Sequence, residues 1–246
     1  MSVALVTGAG TGIGAATARL LASRGQTVVL VGRRRGPLEE VAGSLDRSLV
    51  LPADLGEAGA PAEIVGTVRE QLGRLDVIVN NAAAFVLRPF GSYELSDFET
   101  IVATNVRAPF FLVQEALPLL EASPAPVVVN VSSAAAVMYR PGQAAYALAK
   151  AALEHLTKQL AAELAPRGIR VVGIRPGPVD TPFHAVVEDP AARIAQLGAM
   201  VPLGRVGRPE EVARWIGHVV EPEAEWVTGA VISVDGGRVL GPPEKT

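Results

Sequence analysis

Val3-Ala4-Leu5-Val6-Thr7-Gly8-Ala9-Gly10-Thr11-Gly12-Ile13-Gly14 begins as a short apolar run and ends in alternating glycines. The residues after it, Ala15 to Arg24, have helical composition, and Gly25 is placed to end that helix. The order is strand, glycine turn, helix, the opening of a βαβ unit. Glycines let a backbone come close to a pyrophosphate, and a helix N-terminus turns unpaired N–H groups and a positive dipole end toward it. The spacing G-x-G-x-x-G/A is met only from Gly10 to Ala15; Thr-Gly-x-x-x-Gly-x-Gly, at Thr7, Gly8, Gly12 and Gly14, fits the strand-helix junction better.

The same alternation continues along the chain. Thr27 to Val31 reads as the second strand, Pro37 to Leu45 as a helix, Ser48 to Pro52 as a strand and Ala62 to Leu72 as a helix. Leu75 to Asn80 is the fourth strand, Ser96 to Leu120 a long helical region, and Val127 to Val131 an apolar strand of the kind buried on both faces. Ile169 to Ile174, a helix from Glu210 to Val220 and a strand from Ala230 to Val234 complete the pattern, while the segment from Arg175 to Pro202 reads as an irregular lid. Right-handed crossovers then predict a Rossmann-type α/β fold. It is a doubly wound parallel sheet with helices on both faces, with ligands outside the carboxyl ends of the strands.

Two loops at those ends carry chemistry. Gly32-Arg33-Arg34-Arg35 stands about 20 residues beyond the glycines, where an Asp or Glu would bind the ribose 2′-hydroxyl of NAD. No acid is present, and guanidinium groups can hold a 2′-phosphate bidentately, so NADP(H) is favoured over NAD(H). Asp54, in the loop Ala53-Asp54-Leu55, is placed to meet an adenine amino group.

The stretch Ser132 to Lys150, SSAAAVMYRPGQAAYALAK, holds the trio suited to proton transfer. Tyr146 and Lys150 stand four apart in an Ala-rich helical run, one turn apart on one face, and Leu153, Leu156, Leu160 and Leu164 continue that stripe. A cation beside a phenol favours the phenolate and draws its pKa from about 10 toward neutrality. Pro109 cannot donate to the carbonyl of Asn105; the freed carbonyl either serves a water near Lys150 or marks a packing kink. Phe110-Phe111-Leu112-Val113 is apolar on all sides, which suits a subunit interface as well as the sheet.

Composition narrows the classes. With no Cys there is no disulfide, thiolate nucleophile or iron-sulfur ligand. His155, His184 and His218 are scattered, so no catalytic metal is expected. A net charge of −3 without basic stripes argues against nucleic acid, and no apolar run reaches the roughly 18 to 20 residues of a membrane helix. The N-terminus lacks the pattern of a signal peptide, so the expected location is the cytoplasm. Residues 1–246 read as one domain, with a cofactor half to about 130 and a catalytic half over about 131–241.

Taken together, these motifs resemble the short-chain dehydrogenase/reductase family over nearly the whole chain. The resemblance implies that Tyr146 is the general acid or base and that Ser133 orients the substrate oxygen. Lys150 would lower the Tyr pKa while binding the nicotinamide ribose, and Asn105 would serve a proton relay. It implies cofactor contacts from Gly8, Thr11, Gly12, Ile13 and Gly14, from Arg33 and Arg34, and from Asp54 and Leu55. Asn81, Ala82, Tyr146 and Lys150 would add others, as would Pro176, Gly177, Val179 and Thr181 after the sixth strand. Specificity would lie with Phe85, Met138, Tyr139, Phe183 and His184, facing a small carbonyl or alcohol substrate, in a homotetramer or homodimer. Asn80-Asn81-Ala82-Ala83 departs from the family's Asn-Asn-Ala-Gly by one methyl group. Phe85 after it resembles pteridine reductases, which carry Asp where this chain has Ser133, so pterin reduction is the alternative substrate reading. A non-catalytic NADP sensor or scaffold is the alternative of another class.

Overall fold

The computed structural model describes residues 2–181 and 189–242. Its strands are β1 (Val3–Thr7), β2 (Thr27–Gly32), β3 (Ser48–Pro52), β4 (Val77–Asn80), β5 (Val127–Val131), β6 (Arg170–Pro176) and β7 (Val231–Val234). They form one sheet in the order β3-β2-β1-β4-β5-β6-β7. Every neighbouring pair is parallel. The strand order reverses between β1 and β4, and a crevice opens there at the carboxyl ends.

Helices cover both faces because strand side chains alternate between them. The helices are α1 (Gly12–Ser23), α2 (Arg35–Ala42), α3 (Ala60–Leu72), α4 (Leu95–Val102), α5 (Ala108–Glu121), α6 (Ala144–Leu164), α7 (Pro190–Gly198) and α8 (Pro209–Val220). Ala4, Val6, Val28 and Leu30 meet Ala18 and Leu21 of α1, Leu38 of α2 and Ile216 of α8. Leu5, Val29, Ile78 and Val128 point the other way, to Val68 of α3, Leu112 and Leu120 of α5, and Ala161 of α6.

Three expectations are revised. The helix expected over Ser96 to Leu120 is α4 and α5 joined by a π-helical turn, Ala103–Arg107, in which the Ala108 N–H bonds the Ala103 carbonyl. Pro109 has no N–H for Asn105, and widening the turn lets the helix continue past it. The expected irregular lid contains α7, because Asp189 caps it by accepting from the Ala192 N–H at 2.9 Å and Pro190 suits a first helical turn. The buried stripe of α6 is Tyr146, Ala149, Lys150, Leu153, Glu154, Thr157, Ala161 and Leu164, with Leu156 and Leu160 only half-buried.

Candidate active site

A cleft of about 1270 Å³ runs along the carboxyl ends of the strands. Gly8 and Gly12 adopt φ of +64° and +54°, which an L side chain rarely does. Thr7 Oγ1 accepts the N–H groups of Asn81 and Ala82, both at 2.9 Å, and Asn81 Nδ2 donates to the Thr7 carbonyl at 2.9 Å. The loops after β1 and β4 are thereby locked across the switch point. Gly14 does not face the cleft. It lies behind the loop, where an added Cβ would stand 2.2 Å from the Gly8 carbonyl oxygen, so it lets α1 press against that backbone. Gly8, Thr11, Gly12 and Ile13 line the cleft itself, and the N-terminus of α1 opens onto it.

Arg33 and Arg34 also line the cleft and are exposed, without a carboxylate partner among the described residues, whereas Arg35 pairs with Glu39 at 3.4 Å. Asp54 and Leu55 line it after β3; Asp54 Oδ1 accepts the Gly56 N–H at 2.9 Å. Ala83 is exposed toward the cleft, and no described non-glycine residue has positive φ, so its extra methyl group fits without backbone strain. This open, glycine-floored cradle fits an elongated dinucleotide. Across it lie Pro176, Gly177, Val179 and Thr181, the last with its methyl 2.9 Å from where a Gly12 Cβ would be.

Ser133 at the end of β5 and Tyr146 and Lys150 of α6 meet in the middle of the cleft. Ser133 stands near enough to the Tyr146 hydroxyl to favour its phenolate, and the Tyr146 ring stands edge-on to Phe85, centroids 5.0 Å apart. Lys150 is 2 % exposed; its Nζ donates to the Val131 carbonyl at 2.9 Å and lies 5.8 Å from the Tyr146 ring centroid. The expected lowering of the Tyr pKa is not found in this state. Burial pushes Tyr146 up to about 12, with only Ser133 opposing it, and burial pushes Lys150 down to about 8. Both groups are removed from water, so both charged forms are penalised, and the ammonium faces a carbonyl rather than the phenol oxygen.

Asn105, fully buried in the π-turn, donates from Nδ2 to the carbonyls of Ala84 and Ile101, each at 2.8 Å. Its Oδ1 is a buried acceptor with no partner among the described residues.

Some placements differ from expectation. Tyr139 is 101 % exposed and does not line the cleft, because its loop turns the ring to solvent; Met138 and Phe85 do line it. Phe183 and His184 lie outside the described residues.

One buried network was missed. Glu154, a turn beyond Lys150, accepts from Arg175 at 2.7 and 2.6 Å and from Ser132 Oγ at 2.8 Å. It ties α6 to the residue before Ser133 and the residue before Pro176. The signal was the four-residue ladder Tyr146, Lys150, Glu154 on one helix face. Among the described residues no group of three or more His, Asp or Glu could hold a metal ion.

A doubly wound sheet whose switch-point cleft joins a dinucleotide cradle to a Ser-Tyr-Lys cluster defines the class of nicotinamide-dependent oxidoreductases. The family profile described as Enoyl-(Acyl carrier protein) reductase matches residues 8–238. A 3-oxoacyl-(acyl-carrier-protein) reductase of Thermotoga maritima is 34 % identical over 245 residues, covering 97 % of this chain and 98 % of its own. A 3alpha-hydroxysteroid dehydrogenase of Mediterraneibacter gnavus is 34 % identical, covering 95 % of both chains. Among solved structures, 3-ketoacyl-(acyl-carrier-protein) reductase from Brucella melitensis complexed with NADH superposes with a TM-score of 0.90 at 32 % identity, over 97 % of this chain and 98 % of that one. The angucycline C-6 ketoreductase LanV with bound NADP gives 0.91 at 31 %, over 98 % and 96 %. The chain belongs to the short-chain dehydrogenase/reductase family.

Proposed function

We propose that this chain is an NADP(H)-dependent ketone or aldehyde reductase, acting reversibly on CH–OH and C=O groups. The observation that carries the reading is the buried Tyr146, which lines with Ser133 and Lys150 the same cleft that the glycine loop opens. The bound nicotinamide supplies the hydride. Tyr146 gives the proton: a phenol pushed up to about 12 is protonated at neutral pH, the form that reduction of a carbonyl requires. Ser133 is the second donor to the oxygen as it gains alkoxide character. Lys150 stands one turn below and holds the nicotinamide ribose, and Asn105 Oδ1 is the kind of buried acceptor that a relay water binds.

Similar structures carry either dinucleotide in their names, so the preference rests on Arg33 and Arg34 with no acid beside them. One charge-assisted contact is worth about 1.5–3 kcal/mol. Arg33→Ala is therefore expected to raise the Kd for NADPH by about ten- to a hundredfold while leaving NADH nearly unchanged. Equal affinity of the wild type for NADH and NADPH would contradict the assignment.

The substrate reading is tested by following NADPH absorbance with a panel of ketones and aldehydes beside dihydrobiopterin. Phe85 offers an aromatic wall to a pterin, but Ser133 is the donor that a carbonyl oxygen needs. A higher kcat/KM for dihydrobiopterin than for every carbonyl compound would reverse the order; binding of NADPH with no turnover of any compound would favour a sensor.

We place the chain in the cytoplasm as a single folded unit that self-associates through α5. Leu112 and Val113 are buried against the sheet while Phe110 and Phe111 are 42 % and 41 % exposed, edge to face at 5.2 Å. Two adjacent exposed rings on the outer face of α5 suit a partner helix of a second copy. Sedimentation is expected to show a dimer or tetramer at micromolar concentration and a smaller species for the double variant Phe110→Asp, Phe111→Asp; a wild-type monomer rules the assembly out.

A further inference from the structure

Three guanidinium groups converge on the cleft away from the glycine loop. Arg140 stands between Ser133 and Tyr146, Arg193 in the first turn of α7, and Arg238 after β7; all three line the cleft and each is half-buried. Sequence does not bring them together; the sheet order and the return of α7 do. Among the described residues none of them forms an ion pair. Among the described residues, Arg193 Nη1 donates to Gln196 Oε1, at 2.9 Å. The carboxylates of the same elements are engaged elsewhere: Asp189 accepts the Ala192 N–H, and Asp235 accepts those of Gly237 and Val239, all at 2.9 Å. The described carboxylates that line the cleft, Asp54, Glu57 and Glu99, stand on the β3 loop and α4.

The arrangement is costly without an anion. Burial, and then the charges of Arg193 and Arg238, hold the Arg140 guanidinium below its ordinary range. Nor do these arginines serve the dinucleotide's 2′-phosphate. Arg33 follows β2 and Arg238 follows β7, five strand steps away, or roughly 24 Å at about 4.8 Å per step. Met138, Leu197 and Met200 give the same cleft an apolar lining.

We propose that the substrate carries an anionic oxygen group, a carboxylate or a phosphate ester, that docks among Arg140, Arg193 and Arg238 while its carbonyl reaches Tyr146 and Ser133 across an apolar segment. This rests on the carbonyl-reductase reading above. Planar guanidinium groups match either anion bidentately, and a half-enclosed site makes such contacts stronger than in water.

The test uses the purified full chain with saturating NADPH and a series of keto acids of increasing length, each paired with its methyl ester and with a ketone of equal length ending in a phosphate ester. The wild type is expected to prefer the acid or the phosphate over the methyl ester at least tenfold in kcat/KM, mainly through KM, with the preference shrinking as salt is added. Whichever anion is preferred names the source. Arg140→Gln and Arg193→Gln, made singly, are expected to cut the anion-to-ester ratio about ten- to a hundredfold. A ratio near one in the wild type, or one unmoved by salt and by both substitutions, overturns the proposal while ketone reduction itself stands. If no ketone is reduced at all, the reductase reading fails instead. The Kd of each keto acid and ester, titrated against the NADPH complex, then still decides the anion site: tighter acid binding lost in Arg140→Gln supports it, and equal binding overturns it.

Discussion

Replacing Tyr146 by phenylalanine is expected to lower turnover by about 10²- to 10⁴-fold, the usual worth of a positioned general acid, with NADPH affinity nearly unchanged. The ring and its edge contact with Phe85, 5.0 Å between centroids, are retained, and what is lost is the hydroxyl beside Ser133. The fold should persist, because the buried ring keeps its packing and only one oxygen atom is removed. Steady-state kinetics with a ketone, together with an NADPH titration, check both halves. A variant that keeps a tenth or more of wild-type kcat would remove Tyr146 from the chemistry, and a variant that loses NADPH binding would make it a cofactor residue first.

Lys150→Met is expected to behave differently, losing turnover on the order of a hundredfold or more and weakening NADPH binding as well, in keeping with the proposal that the ammonium holds the nicotinamide ribose beside the reacting centre. Methionine fills the buried channel that the Lys stem occupies, 2 % exposed, so the fold should persist. A second readout isolates the charge. Burial holds Lys150 at about 8 in the folded chain, against 10.5 ordinarily. Between pH 8 and 10 the unfolded chain therefore binds more protons at this group, and its contribution to folding stability rises with pH. Above pH 10 Tyr146 acts the other way, because its folded value of about 12 keeps a proton that the unfolded chain loses. Melting temperatures of the cofactor-free protein should thus rise more, or fall less, from pH 8 to 10 in the wild type than in Lys150→Met. Parallel curves would mean that the ammonium is not penalised by burial.

Much of this was legible from local pattern. The run from Val3 to Gly14 specifies a strand, a tight turn and a helix because apolar periodicity and glycine conformation are short-range properties, and its repetition along the chain predicts the parallel sheet. Tyr146 and Lys150 were readable for the same reason: the helical repeat of 3.6 residues puts positions four apart on one face. Local reading failed where a neighbour changed the outcome. Pro109 suggested a break but produced a π-turn, since the helix could widen, and Pro190 looked like a breaker until Asp189 beside it capped a helix.

Only the tertiary structure decided which distant residues meet and how much water they keep. Glu154, Arg175 and Ser132 join through the pairing of β5 with β6 and the packing of α6 across them. Arg140, Arg193 and Arg238 face one cleft because the sheet order and the return of α7 bring them there. The direction of the Tyr146 and Lys150 shifts was equally out of reach, because adjacency in sequence suggests mutual attraction of charges whereas burial, a property of the whole fold, penalises both.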